Sequence, residues 1–267
     1  MSKRLVLAVL LMGLSGYTVF SQSAQTTLES FDVEILVPEV IATMPHRTED
    51  FTQGLVWDAG RLFQSTGLYG QSHLQELDPE TGEPLREIPL PEELFGEGLA
   101  LVGDQLIQIT WQQQVAIYYD VETFEPEAFA SYVGEGWGLC FDGEALYMTD
   151  GSSILYQRDP ETFQVTASYQ VTIMGVPIVR LNELECVEDV VYANVWQTDR
   201  IVRIDKATGE VTAVIDASNL LTPEDRAILP SGAVLNGIAY NGDTGTFLVT
   251  GKLWPTIFEV NWIPLEG

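Results

Sequence analysis

The chain repeats itself at a spacing few architectures can satisfy. FTQGLVWDAGRLFQSTG, FGEGLALVGDQLIQITW, EGWGLCFDGEALYMTDG, LNELECVEDVVYANVW and VLNGIAYNGDTGTFLVTGK align on Gly54, Gly98, Gly138, Leu184 and Gly237, which stand 44, 40, 46 and 53 residues apart. Each unit reads as a short apolar strand, a turn rich in Asp and Gly and a second, alternating strand, as in VWDAGRLFQS and CFDGEALYMT. A third strand leads into another turn at Asp78, Asp120, Asp159 or Asp205, where the Asp side chain can bond backbone amides and a nearby Pro or Gly suits the bend. Four strands per unit, repeated five times, predict an all-β chain folded as a five-bladed β-propeller.

Closure of such a ring is the next constraint, because open strand edges invite pairing with other chains. The fifth unit supplies GIAY, TFLVT and TIFEVN and then stops one strand short. VEILVPEVIATM, ahead of the first unit, is expected to close the ring beside the C-terminal blade. Two segments exceed the repeat, residues 170–182 and 217–235, and insertions of this kind gather on one face. The second carries a helix start, with Thr222 as N-cap, Pro223 first in the helix and Glu224 and Asp225 in its first turn.

Residues 1–24 read as a signal peptide: Lys3 and Arg4, an apolar run from Leu5 to Leu14, then small residues at Ser21, Ser23 and Ala24. The alternative is an uncleaved N-terminal anchor, the one case in which a membrane would be a partner. Residues 25–267 then form a single exported domain, periplasmic or secreted, expected to be a monomer. The formal charge of −27 repels nucleic acid, while a hydrophobic fraction of 46% with ten Tyr, eleven Phe and six Trp is too apolar for an acidic disordered tail. Cys140 and Cys186 are too few for a disulfide scaffold and too scattered for a metal site. They read first as two small buried side chains, with one disulfide as the alternative.

In an antiparallel blade, the start of the innermost strand and the end of the second lie on the same rim. The starts carry Gln53, Glu97, Trp137, Asn182 with Glu183, and Asn236. The second-strand ends carry Gln64 to Gly67, Trp111, Asp150, Asn194 with Trp196, and Lys252, with Trp254 just beyond. Four of the six tryptophans beside a few polar groups describe a pocket for a small molecule or a chain end. Glycines on either side of Glu97 are expected to let a substrate approach closely.

FTQGL, STGLYGQS, FGEGLA, LNELE, ANVW, LNGIAY and TGKLWP occur in one order from residue 46 to 262, and in this the chain resembles the glutaminyl cyclases (glutaminyl-peptide cyclotransferases) of plant and bacterial type. Gln64 departs from that pattern, which has a glutamate before STG. The resemblance implies a five-bladed propeller acting on peptides or proteins with N-terminal glutamine, releasing ammonia and forming pyroglutamate without a catalytic metal or other cofactor. It also implies Glu97 as acid/base, Asn182 and Lys252 as polarising groups, and Phe51, Gln53, Trp111, Trp137 and Trp196 as substrate-pocket lining. The residue types suit that chemistry: one carboxyl can move the single proton that cyclisation transfers, and an amide and an ammonium can stabilise charge on the amide oxygen. Two other classes remain open on the residues alone, a non-catalytic propeller binding a peptide or small molecule and a metal-dependent lactonase-like propeller.

Overall fold

The computed structural model describes residues 33–265, and the expected leader or anchor lies outside them. A long strand, β1 (Glu34–Pro45), comes first. Four antiparallel strands follow and bond in sequence order: β2 (Thr52–Asp58), β3 (Arg61–Thr66), β4 (His73–Leu77) and β5 (Pro84–Pro89). A second sheet repeats the pattern with β6 (Gly96–Val102), β7 (Gln105–Thr110), β8 (Val115–Asp120) and β9 (Pro126–Ser131). A third has β10 (Leu139–Phe141), β11 (Leu146–Met148), β12 (Ile154–Arg158) and β13 (Val165–Gln170). The first long insertion folds as a small hairpin, β14 (Thr172–Ile173) with β15 (Val176–Pro177).

The remaining strands are β16 (Leu181–Val187), β17 (Val190–Val195), β18 (Arg200–Asp205), β19 (Val211–Asp216), β20 (Leu235–Asn241), β21 (Thr246–Gly251) and β22 (Thr256–Pro264). Together with β1 they make one eight-stranded sheet, ordered β16-β17-β18-β19-β1-β22-β21-β20. β1 lies antiparallel to β22 from Leu36 opposite Pro264 to Pro45 opposite Thr256, so the first strand does pair with the last. Its opening residues also pair in parallel with β19, Glu34 opposite Ala213, which the repeat did not anticipate. That short parallel contact joins two groups of four strands into one sheet. The first strands β2, β6, β10, β16 and β20 touch in turn, and β20 returns to touch β2.

Local chemistry explains the turns. Ala59 and Gly60 both take positive φ, 46° and 87°, between the paired Asp58 and Arg61, as a tight turn matched to strand twist requires. Asp78, Asp120, Asp159 and Asp205 each accept the amide two residues on through a side-chain oxygen. The repeat's central glycines have a different cause from the one expected near Glu97. A Cβ on Gly54, Gly98 or Gly138 would lie 2.5 Å from Leu99 N, 2.4 Å from Leu139 N or 2.1 Å from Asn182 O. One on Gly96 would meet Thr66 O at 2.6 Å. These glycines therefore admit neighbouring backbone rather than substrate.

Cys140 on β10 and Cys186 on β16 form a disulfide with Cα atoms 5.5 Å apart, which replaces the reading of two separate thiols. The second insertion contains α1 (Pro223–Ile228), whose Thr222 side chain accepts the Asp225 amide while Asp225 reaches back to the Thr222 amide. Among the described residues no helix is long and apolar enough to cross a membrane. Apolar side chains fill the spaces between adjacent sheets; Phe63 and Leu74 from the first meet Leu99, Leu106 and Ile117 from the second.

Candidate active site

At the head of β2, β6, β16 and β20 the pairing register slips, between Thr52 and Gly54, Gly96 and Leu99, Leu181 and Leu184, and Leu235 and Ile238. A bulge leaves a residue unpaired and re-aims its side chain. Gln53, Glu97, Asn182 and Asn236 occupy those slips, and the first three point into one cavity of about 260 Å³. The second strands reach the same level through a recurring backbone bond: the N–H of Gly67, Trp111, Trp196 and Lys252 donates to the carbonyl of Phe51, Phe95, Arg180 and Val234 respectively. All eight candidate residues line this cavity: Phe51, Gln53, Glu97, Trp111, Trp137, Asn182, Trp196 and Lys252.

Aromatic rings make most of the wall. Trp137 meets Trp196 edge to face at 5.3 Å, and Phe95 touches Trp111, Tyr69 and Phe51 at 5.6, 5.4 and 6.2 Å. The floor is polar. Asn236 Nδ2 donates to Gln53 Oε1 at 3.3 Å, and Gln53 Nε2 donates to Glu97 Oε1 at 3.1 Å. The Asn182 Oδ1 is buried without a partner, so its amide is not tied into the protein's own bonding.

Glu97 is 5% exposed and Lys252 4%. Burial raises the Glu97 pKa well above the usual carboxylate range, with the Lys252 charge opposing and the Glu135 charge adding to the shift. The Lys252 pKa falls to about 8 through burial, opposed by Glu97. The two do not form an ion pair; instead Lys252 Nζ stands 4.6 Å from the centre of the Phe51 ring. Desolvation thus outweighs pairing at both groups. A carboxyl whose protonated form is favoured by burial and an ammonium whose pKa burial lowers to about 8 share one cavity. That combination suits proton transfer at a carbonyl carbon.

Several rim residues stay out of the pocket. Glu183 turns into the protein, where its two oxygens accept the amides of Leu55 and Ile238. Trp254 is 1% exposed and packs against Gly251, which corrects its assignment to the aromatic rim. Gln64 lies inside the first sheet, its amide accepting from His46 or Thr52 and donating to Asp50 and Gln75. The position where the family pattern has a glutamate therefore faces a structural network and not the cavity. Asp150 binds the Tyr156 hydroxyl and the Ser152 amide, and Asn194 accepts the Gly237 amide.

The sequence reading missed Leu68 and Phe95, both of which line the cavity. Phe95 precedes GEG as Phe51 precedes TQG, so the repeat alignment itself held that signal. It also missed Glu135, which accepts the indole N–H of Trp111 at 2.8 Å and of Trp137 at 2.9 Å.

Residues 10–262 match the family model described as glutamine cyclotransferase. The chain is 38% identical to the glutaminyl-peptide cyclotransferase of Arabidopsis thaliana in an alignment covering 97% of this chain and 83% of that protein. It superimposes on the crystal structure of Myxococcus xanthus glutaminyl cyclase with a TM-score of 0.83 and 38% identity, covering 88% of this chain and 100% of that one. The chain belongs to the glutamine cyclotransferase family.

Proposed function

We propose that the chain is a glutaminyl-peptide cyclotransferase, which closes the N-terminal glutamine of a peptide or protein into pyroglutamate with release of ammonia. The observation that carries this reading is one buried carboxyl, Glu97, and one buried ammonium, Lys252, in a single aromatic cavity of a chain from this family.

The attacking α-amine has two N–H protons when neutral and must end with one, while the departing amide nitrogen must gain one. Protonated Glu97 gives its proton to the leaving nitrogen and takes the surplus proton from the attacking nitrogen. The carboxyl is thereby restored and ammonia leaves. As the amine bonds to the γ-carboxamide carbon, negative charge gathers on the amide oxygen, where the Asn182 amide and the Lys252 ammonium act as donors. Nucleophile and carbonyl already belong to one residue, so the pocket's main task is to hold glutamine folded for ring closure. Phe51, Trp111, Trp137 and Trp196 restrain its chain and exclude water, and Gln53 orients the Glu97 carboxyl.

The four-stranded groups, the ring of touching first strands and the pairing of β1 with β22 support reading the chain as a single five-bladed propeller spanning residues 25–267. The Cys140–Cys186 bridge supports an exported protein, since disulfides persist in oxidising compartments. The test is ammonia release from a glutamine-leading peptide, with and without chelator. Chelator-resistant release with pyroglutamate as product is expected. Chelator-sensitive hydrolysis would select the lactonase-like alternative, and silence the non-catalytic binder.

A further inference from the structure

The aromatic wall of the cavity is built by two groups of rings from different parts of the chain. Trp137 stands with Trp196 in one group, and Trp111 stands with Phe95 in the other. Each indole has only one polar atom with which its orientation can be fixed, and both indole N–H groups donate to the same oxygen, Glu135 Oε2, at 2.8 and 2.9 Å. The other oxygen, Oε1, accepts Gln112 Nε2 at 3.0 Å. Glu135 belongs to the segment between β9 and β10 and does not itself line the cavity.

From this geometry we propose that Glu135 is a positioning residue: its carboxylate clamps Trp111 to Trp137 and so joins the two aromatic groups into one pocket shaped for a folded glutamine. The inference rests on the cyclotransferase reading above. Burial works against ionisation of Glu135, but three N–H donors together outweigh it and hold its pKa below the usual carboxylate range, which favours the ionised form, the stronger acceptor. Without it, each indole is free to turn about its side-chain torsions and the cavity loses its fixed width. Misplacement of about 1 Å at such a pocket costs on the order of a hundredfold in rate.

The experiment compares wild type with Glu135→Ala and Glu135→Gln on a glutaminyl peptide, with near-ultraviolet circular dichroism as the record of indole orientation. Glu135→Ala is expected to raise KM about tenfold and lower kcat/KM on the order of a hundredfold, with a weakened tryptophan signal and a retained cooperative thermal transition. Glu135→Gln, whose amide oxygen still accepts indole N–H groups, is expected to restore KM to within about threefold of wild type together with the tryptophan signal. Wild-type kinetics in Glu135→Ala would overturn the proposal. So would failure of Glu135→Gln to recover either KM or the dichroism, since the carboxylate's acceptor role would then not be what matters. A wild-type protein that releases no ammonia would defeat the cyclotransferase reading itself, an outcome separate from an active wild type whose variants do not differ.

Discussion

Glu97 and Lys252 show how burial rather than pairing sets a residue's chemistry. In water a glutamate and a lysine would both be charged across neutral pH, with reference values of about 4.3 and 10.4. Here loss of hydration moves them towards each other, the carboxyl up and the ammonium down to about 8. Glu97→Gln keeps an oxygen for the Gln53 amide while removing the transferable proton. Mass spectrometry should find no pyroglutamate from this variant, and its thermal midpoint should not fall, because a neutral amide replaces an acid in a buried place. Retained turnover would remove Glu97 from the mechanism. Lys252→Met should lower kcat by about 10²–10³, the effect of losing one donor at the developing oxyanion. The ammonium is present below pH about 8 and is lost as pH rises through that value in the free protein, so the Lys252 contribution to wild-type kcat/KM should decline on that side and the Met variant should lack that decline. Both candidates were legible in the sequence because they stand at repeat-equivalent strand ends. Glu183 and Gln64 stand at the same kinds of position, and only the fold shows that they face elsewhere.

At the scale of elements, the site depends on irregularity in otherwise regular strands. The register slips at the heads of β2, β6 and β16 turn Gln53, Glu97 and Asn182 towards the cavity. A strand without the slip would alternate strictly between its two faces. Alternation and turn chemistry made the strands visible, but a slip depends on the partner strand and leaves no local signature. The disulfide is similar: spacing left two buried thiols and a bridge both possible, and only the side-by-side placement of β10 and β16 chose the bridge. It closes a loop with a sequence separation of 46 residues, for which the chain-entropy relation gives about 4 kcal/mol. The double variant Cys140→Ala with Cys186→Ala should therefore melt at a clearly lower temperature, and reductant should lower the melting temperature of wild type but not of the variant. Equal midpoints would show that the bridge does not stabilise the domain.

The whole molecule separates an acidic coat from acids held in its interior. The formal charge of −27 comes from 39 acidic against 12 basic residues, and among the described residues Asp50, Glu76, Glu97 and Glu183 are the buried acids. Glu185 differs: although it is only half-buried, desolvation lifts its pKa to about 8, against the Tyr240 amide that one of its oxygens accepts. The folded protein therefore keeps a proton that the unfolded chain releases near pH 4.5. Stability from this group is present below that value, declines as pH rises and is fully lost once pH passes about 8. Glu185→Gln should melt with wild type near pH 4.5 and progressively above it up to pH about 8, as thermal denaturation across that range would record. A constant difference between the two would refute the assignment. The sequence by itself determined the repeat, the strands, the turn aspartates, the α1 cap and the strand ends from which the pocket is made, because these follow from hydrogen bonding and side-chain alternation within a few residues. Only the tertiary structure decided that Trp254 is core, that Glu135 binds both Trp111 and Trp137 of the pocket wall, and that Glu97 and Lys252 share a cavity without pairing. Direction and hydration at each of these positions are set by neighbours that folding brings from other units of the repeat.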